Sequence, residues 1–242
     1  MIVYPKCDDL SEAELDLNEG DVYVWQIALN QSNDPGNSNL IATLSSDEQL
    51  RAGRFLRPID RDNFIHTRGM LRTILAQYLS ITAAKINFVY SAYGKPALVK
   101  KQNHRRLRFN LSHSHEIALL AVTRECEIGI DIEFIRKDFA TLEIAEDYFS
   151  ESELAMLRSL PERLRTRAFF NCWTRKEAYI KAIGEGLSYP LNKFAVSLIP
   201  GKLPELLHVD NNPQEIMRWQ FYDPDTPPGY AAALVVERCK SL

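Results

Sequence analysis

The sequence predicts an α+β protein of two pseudo-symmetric lobes, each a small antiparallel sheet packed on helices. Three observations carry this. A strand, a short capped helix and a longer helix occur in that order in each half of the chain. Placing Phe64 on Phe169 puts Arg68 over Trp173, Arg72 over Glu177 and Ala76 over Lys181, and brings the preceding short helices into register. At 242 residues and 45% hydrophobic content, the chain is long and apolar enough for one sizeable domain or two lobes. Two copies are too few for a solenoid, so two lobes facing each other across a ligand cleft are the natural reading. Coincidence between two ordinary strand-helix-helix segments is the alternative.

The elements follow in order. Residues 22–29 are rich in β-branched and aromatic side chains and read as a strand, followed by an Asn/Ser/Gly/Pro loop over 30–39. Ser45 or Ser46 caps a short helix with acidic Asp47 and Glu48 in its first turn, expected to stop near Pro58. Residues 61–79 carry apolar side chains at helical intervals. A strand over 86–90, the turn Tyr93-Gly94-Lys95-Pro96, and strands over 109–112 and 117–123 flanking Ser112-His113-Ser114-His115 complete the first half. The second runs through a strand over 127–134, a capped helix near Ser150 or Ser152, a longer helix over 165–183, and a strand pair at 218–222 and 230–236.

Composition excludes several classes. A net charge of −3 and a pI near 6.0 give no global pull toward nucleic acid or an acidic membrane, so a phosphate site must be built locally. The basic run Lys100, Lys101, His104, Arg105, Arg106 and Arg108 has no interleaved aromatic platform and reads as a solvated loop. No stretch is long and apolar enough to span a bilayer, and the first residues do not read as a secretion signal. Cys7, Cys126, Cys172 and Cys239 are far apart and read as reduced thiols of a cytoplasmic protein; the scattered histidines give no zinc spacing.

The chemistry concentrates in two places. In Ile128-Gly129-Ile130-Asp131-Ile132-Glu133 the alternation aims Asp131 and Glu133 to one face of a strand and Ile130 and Ile132 into the core. Taken alone, the pair is the ordinary pattern of a half-buried strand with a solvated face; the functional reading is a hard-cation site, because Mg²⁺ takes oxygen ligands and joins carboxylates to substrate phosphates. Glu177 and Lys181 lie together on one side of the second long helix, a spacing that also describes an exposed ion pair. Lys176, in the apolar stripe with Phe169, Trp173 and Ile180, must snorkel or meet an anion.

On the phosphate side, Arg51, Arg54, Arg57, Arg61, Arg68 and Arg72 recur through the first helical region, and one or two facing a cleft would grip phosphate with forked hydrogen bonds. Gly94 permits close backbone approach, Lys95 adds charge and Pro96 stiffens the turn. Ser112 and Ser114 should point one way and His113 and His115 the other. No nucleophile elbow surrounds them, so phosphate contact is the functional reading and polar residues at a strand end the plain one.

Together, Tyr93-Gly94-Lys95-Pro96, Phe109-Asn110-Leu111-Ser112-His113-Ser114, Ile128-Gly129-Ile130-Asp131-Ile132-Glu133 and Trp173-Thr174-Arg175-Lys176-Glu177-Ala178-Tyr179-Ile180-Lys181 resemble the motif set of the Sfp-type 4′-phosphopantetheinyl transferases, over at least residues 51–198. The resemblance implies the 4′-phosphopantetheinyl transferase fold in a single chain, with an N-terminal lobe (1–125) contacting the phosphates and adenine of coenzyme A and a C-terminal lobe (126–242) carrying the metal site and catalytic helix. It implies Mg²⁺ held by Asp131, Glu133 and Glu177, with Lys181 near the pyrophosphate. Tyr93, Gly94, Lys95 and Pro96 would border the adenine, Ser112 and His113 would contact phosphates, and Arg51 and Arg68 would be further phosphate ligands. Where many family members carry Gly after Ser-His-Ser, this chain has His115.

The implied reaction moves phosphopantetheine from coenzyme A to a serine of apo acyl or peptidyl carrier proteins of fatty acid, polyketide or nonribosomal peptide synthesis, and releases adenosine 3′,5′-bisphosphate. Catalytic roles fall to Asp131, Glu177 and Lys181, in a cytoplasmic monomer with neither nucleic acid nor membrane as partner. A non-catalytic coenzyme A or carrier-binding module, and a hydrolase using water as acceptor, are the alternatives.

Overall fold

The structure, a computed structural model, describes residues 1–5, 17–29 and 36–238. The chain divides into two compact units, Met1–Tyr90 with Pro96–Glu125, and Ser91–Lys95 with Cys126–Leu242. In the first unit come β1 (Ile2–Val3), β2 (Val22–Ala28), α1 (Gly36–Ile41), α2 (Ser46–Ala52), α3 (Pro58–Leu79), β3 (Phe88–Tyr90), β4 (Pro96–Leu98), β5 (Leu107–Ser114) and β6 (Ile117–Arg124). The second holds β7 (Ile128–Phe134), α4 (Leu142–Tyr148), α5 (Glu151–Ser159), α6 (Glu162–Ile183), β8 (Phe194–Val196), β9 (Leu206–Val209), α7 (Glu215–Arg218), β10 (Trp219–Tyr222) and β11 (Tyr230–Glu237).

The two units repeat one topology. The first has a sheet ordered β1-β2-β6-β5, antiparallel except for the short parallel β1–β2 edge; the second has an antiparallel sheet ordered β10-β11-β7. In each, the strand before the helices (β2 or β7) pairs with the last strand (β6 or β11), which in turn pairs with the one before it (β5 or β10). The fold is thus α+β, with small antiparallel sheets packed on helices.

Each sheet buries one face against its long helix. In the first unit Leu71, Ile74, Leu75, Tyr78 and Leu79 of α3 pack with Trp25, Ile27, Leu120 and Val122. The indole N–H of Trp25 donates to Tyr78 Oη at 3.1 Å, which satisfies the polar atoms of two fully buried rings. In the second, Phe169, Phe170, Ala178 and Tyr179 of α6 pack with Ala231, Ala233 and Val235 of β11.

Capping decides where the short helices begin. Ser45 with Glu48, and Ser150 with Glu153, each form a capping box at the start of α2 and α5. Pro58 does not end the first short helix. That helix stops at Ala52, and Pro58 opens α3, because a proline at the first helical position gives up only an N–H that has no intrahelical partner anyway.

The expected loop over 30–39 is a helix from Gly36 onward; residues 30–35 lie outside the described residues. Cys172 is a buried free thiol, whereas Cys126 is disulfide-bonded, a departure from four reduced thiols that spacing in sequence cannot reveal. Cys7 and Cys239 lie outside the described residues. Among the described residues no helix is long and apolar enough to cross a membrane.

Candidate active site

In the second unit, β7 alternates as its sequence requires. Ile130 and Ile132 are fully buried in the core, while Asp131 and Glu133 face the other way, opposite Ala233 and Ala231 of β11. That face is the one helix α6 covers, with Ala231 and Ala233 in the same core. Asp131 is only 3% exposed. Helix α6 supplies the remaining groups and lies unusually close to β7: a Cβ built on Gly129 would be 2.0 Å from the carbonyl oxygen of Ala178 and 2.4 Å from the amide nitrogen of Ala182. A strand residue without a side chain lets helix backbone pack directly on strand backbone, and this sets Glu177 and Lys181 against Asp131.

Lys181 Nζ donates to Asp131 Oδ1 at 2.6 Å, a part-buried ion pair between helix and strand. Burial, reinforced by the negative charge of Asp131, pushes the Glu177 carboxyl up to about 7, against the pull of Lys181; Glu133 adds a smaller push. The Lys181 ammonium thus sits beside two acids, bonded to Asp131 and drawing on Glu177. Among the described residues no group of three or more His, Cys, Asp or Glu side chains is already arranged as a metal cage. The donor set is nevertheless oxygen-only and anionic, the kind a hard divalent cation takes, and such an ion would relieve the repulsion felt at Glu177.

The rest of the motif on α6 is framework. Lys176 meets its anion: Nζ lies 2.7 Å from Glu153, donates to the carbonyls of Leu191 and Phe194 at 2.7 Å each, and is fully buried. Arg175, equally buried, donates to Asp223 Oδ2 and to the Ser197 carbonyl, both at 2.7 Å. Glu153 and Asp223 escaped sequence reasoning because they lie on other elements. Glu153 alone left a signal, the Ser-x-x-Glu spacing of its capping box.

The turn before β4 belongs to the same unit. Ser91 organises it: Ser91 Oγ accepts from the amides of Tyr93 at 3.3 Å and Lys95 at 3.1 Å, and Gly94 takes a positive φ of 82°. Tyr93 is exposed, and Pro96 is the first residue of β4. Lys95 Nζ lies within hydrogen-bond reach of Glu127 Oε2 (3.3 Å), the Ile128 carbonyl (3.1 Å) and the Ala182 carbonyl (3.2 Å).

In the first unit, Ser112, His113 and Ser114 lie within β5 rather than after it, and Ser112 is buried while His113 is exposed. His115 occupies the β5–β6 turn with φ 53°, the left-handed region that glycine enters freely and a histidine seldom does. Arg51 is exposed on α2 and rests over the Phe64 ring at 5.3 Å. Arg68 is more committed: its Nε donates to Glu48 Oε1 at 2.6 Å, a second nitrogen to Tyr90 Oη, and its guanidinium stacks over Phe88 at 4.7 Å. Arg72 is fully buried, bound to Glu48 and to the carbonyls of Ala83 and Ile86, so it is framework.

Strand-borne acids under a helix bearing Glu-x-x-x-Lys make a compact, oxygen-rich charged site of the kind used in metal-assisted phosphate chemistry, and family comparison gives the class. Residues 127–235 match the 4′-phosphopantetheinyl transferase superfamily model and residues 33–125 match that of the 4′-phosphopantetheinyl transferase N-terminal region. The chain belongs to the 4′-phosphopantetheinyl transferase family. It is similar to the 4′-phosphopantetheinyl transferase HetI of Nostoc sp., with 41% identity over 186 residues, 77% of this chain and 78% of the relative. It is also similar to the 4′-phosphopantetheinyl transferase gsp of Aneurinibacillus migulanus (30% identity; 79% and 75% of the two chains) and to Sfp of Bacillus subtilis (30% identity; 67% and 70%).

Proposed function

We propose that this protein transfers 4′-phosphopantetheine from coenzyme A to a serine hydroxyl of apo acyl or peptidyl carrier proteins, releasing adenosine 3′,5′-bisphosphate. The observation that carries the reading is the junction of β7 and α6, where Asp131, Glu133, Glu177 and Lys181 form one charged cluster. The N-terminal lobe, 1–125, takes the phosphates and adenine with Arg51, Arg68, Ser112 and His113. The C-terminal lobe, 126–242, supplies the acid–lysine cluster. The turn Tyr93, Gly94, Lys95 and Pro96 borders the adenine. The same reading makes the protein a cytoplasmic monomer, its two lobes joined in one chain.

Asp131, Glu133 and Glu177 are the residues that would hold Mg²⁺, which when bound neutralises charge on the coenzyme A pyrophosphate. In the transfer, the serine oxygen bonds to the β-phosphorus and the bridging P–O bond breaks, its electron pair leaving with adenosine 3′,5′-bisphosphate. Lys181, already held at 2.6 Å from Asp131, is poised to offset charge on the departing oxygen. Glu177, beside Asp131 at the same junction, is the group we assign to take the serine proton, directly or through a water. Little covalent chemistry is asked of the protein, so positioning and charge do most of the work.

The test is mass spectrometry of a panel of apo carrier proteins incubated with the protein, coenzyme A and Mg²⁺. The expected result is a phosphopantetheine adduct that disappears with Asp131→Ala or Glu177→Ala and when Mg²⁺ is chelated. Near-normal turnover by either variant refutes the assignment. Release of adenosine bisphosphate without any acceptor would make the protein a hydrolase instead.

A further inference from the structure

We propose that Lys95 is a positioning residue that fastens the Ser91–Lys95 turn, the start of β7 and the last turn of α6 into one body, and that its ammonium is not a ligand of the 3′-phosphate of coenzyme A. The activity arm of this proposal rests on the transferase reading above; its structural arm does not.

A lysine ammonium carries three donor hydrogens. Around Lys95 Nζ stand three acceptors at hydrogen-bond distance, Glu127 Oε2, the Ile128 carbonyl and the Ala182 carbonyl, at 3.3, 3.1 and 3.2 Å. Every donor has a protein partner, and the side chain is only 18% exposed. The positive charge also sits at the C-terminal end of α6, where the helix dipole and the last carbonyls favour a cation. To reach a phosphate, the ammonium would have to surrender these bonds and leave buried carbonyls without a donor.

The three acceptors come from the segments whose mutual position matters. Ile128 opens the strand that carries Asp131 and Glu133, and Ala182 follows Lys181 on the helix that carries Glu177. Between them lies the backbone contact that Gly129 permits. Lys95 thus bolts together the two elements of the acid cluster beside the close backbone approach at Gly129. It ties in the turn as well: the Lys95 carbonyl accepts from the Ser91 amide at 3.0 Å, its amide donates to Ser91 Oγ, and a Cβ built on Gly186 would meet Tyr93 Cβ at 3.4 Å, so the turn rests on the chain leaving α6.

The experiment compares Lys95→Met, which keeps the aliphatic stem, and Lys95→Arg with the unsubstituted protein. Hydrogen exchange of the amides in the turn and at the start of β7 should accelerate together by about 10-fold or more in Lys95→Met, because local opening is governed by such shared fasteners. Unchanged exchange in either segment overturns the proposal. With coenzyme A and 3′-dephospho-coenzyme A as donors, Lys95→Met should lower kcat by about 10- to 100-fold on both, since a misplacement of about 1 Å costs on that order, and the ratio of kcat/KM between donors should stay the same.

A loss confined to coenzyme A, collapsing that ratio, would make Lys95 a phosphate ligand and overturn the proposal; so would an undiminished kcat. If Lys95→Met fails to fold, Lys95→Gln, which keeps a donor but loses the charge and the reach to Ala182, carries both measurements with the same expected acceleration and the same constancy of ratio, while Lys95→Arg should stay near the unsubstituted protein. Absence of transfer by the unsubstituted protein from either donor would count against the transferase reading alone, and the exchange measurement would still decide the role of Lys95.

Discussion

Gly129→Ala tests what brings the acid cluster together. The added Cβ would lie 2.0 Å from Ala178 O, 2.4 Å from Ala182 N and 3.0 Å from Ala182 Cα. All three are backbone atoms of α6, so no rotamer change relieves the overlap. Contact distances of about 3.5 Å require the helix to retreat from β7 by roughly 1 Å or more. Overpacking of this kind costs about 1–3 kcal/mol, and Tm falls by about 2–4 °C for each kcal/mol in a protein of this size. The sign is diagnostic, because Gly→Ala at an unhindered site stabilises by about 0.4–1 kcal/mol through the unfolded chain. The same retreat carries Glu177 and Lys181 away from Asp131, and a shift of about 1 Å is expected to slow transfer by about 100-fold. Thermal unfolding and adduct formation on an apo carrier protein measure the two effects. A Tm equal to or above that of the parent, with full transfer activity, would refute the close-approach argument.

Three further perturbations follow from the buried charges. Lys176→Met strands the Glu153 carboxylate, 2% exposed, and should cost about 3–5 kcal/mol in urea unfolding; adding Glu153→Gln, which keeps an acceptor for the Val196 amide, should recover part of that loss, and a cost below about 1 kcal/mol for the single variant would contradict the pairing. Burial alone would raise the pKa of Glu48, but hydrogen bonds from Arg72 and the Ser45 amide and the charge of Arg68 outweigh it and hold the carboxyl below its ordinary value. Its contribution to stability is therefore complete above the unfolded value of about 4.3 and is lost as pH falls through the lower folded value, so Glu48→Gln should flatten the fall of stability below about pH 4.3; an unchanged slope would refute this. Arg51→Ala, at an exposed side chain, should leave stability within about 0.5 kcal/mol yet raise KM for coenzyme A by about 10-fold or more if Arg51 grips phosphate; an unchanged KM removes it from the site.

Much of the geometry of the candidate site was legible because its residues obey strong periodicities. The two-residue alternation of β7 needs only Ile130 and Ile132 in the core to aim Asp131 and Glu133 together. Lys176, placed by helical period inside an apolar stripe, had either to snorkel or to meet an anion, and it meets Glu153. What was hidden depends on other elements. Helix α1 begins in Gly36-Asn37-Ser38-Asn39, a turn-like composition; beyond that stretch, Leu40 lies so close to α3 that a Cβ on Gly69 would meet its Cβ at 2.8 Å, so tertiary packing overrides local preference. Strands β8 and β9 are too short for a period to show. The role of Lys95 was hidden because Gly-Lys-Pro reads as a turn with a spare charge, and the charge proves to be spent on a helix end.

The repeated topology bears on why, among the described residues, the acid cluster stands in the second unit. Both units stitch the short capped helix to the long one through a buried glutamate of the capping box, Glu48 in the first and Glu153 in the second, at matching positions of the repeat. In the first unit the cation bound to that glutamate is Arg72, the counterpart of Glu177, with Arg68 as a second partner. In the second unit the anchoring cation is Lys176, one position earlier on the helix. A step of one residue turns a helix face by about 100°, so the anchor and the site point in different directions. Moving the structural cation from the Arg72 position to the Lys176 position releases the next residue from framework duty. Glu177 is then free to stand over Asp131, and an internal ion-pair site becomes a place for an acid whose carboxyl sits at about 7. On this argument, restoring the first unit's pattern with Glu177→Arg should leave the Lys176–Glu153 anchor and the fold intact while abolishing transfer. Loss of folding by that variant, measured by far-ultraviolet circular dichroism and thermal melting, would show that position 177 had never been released.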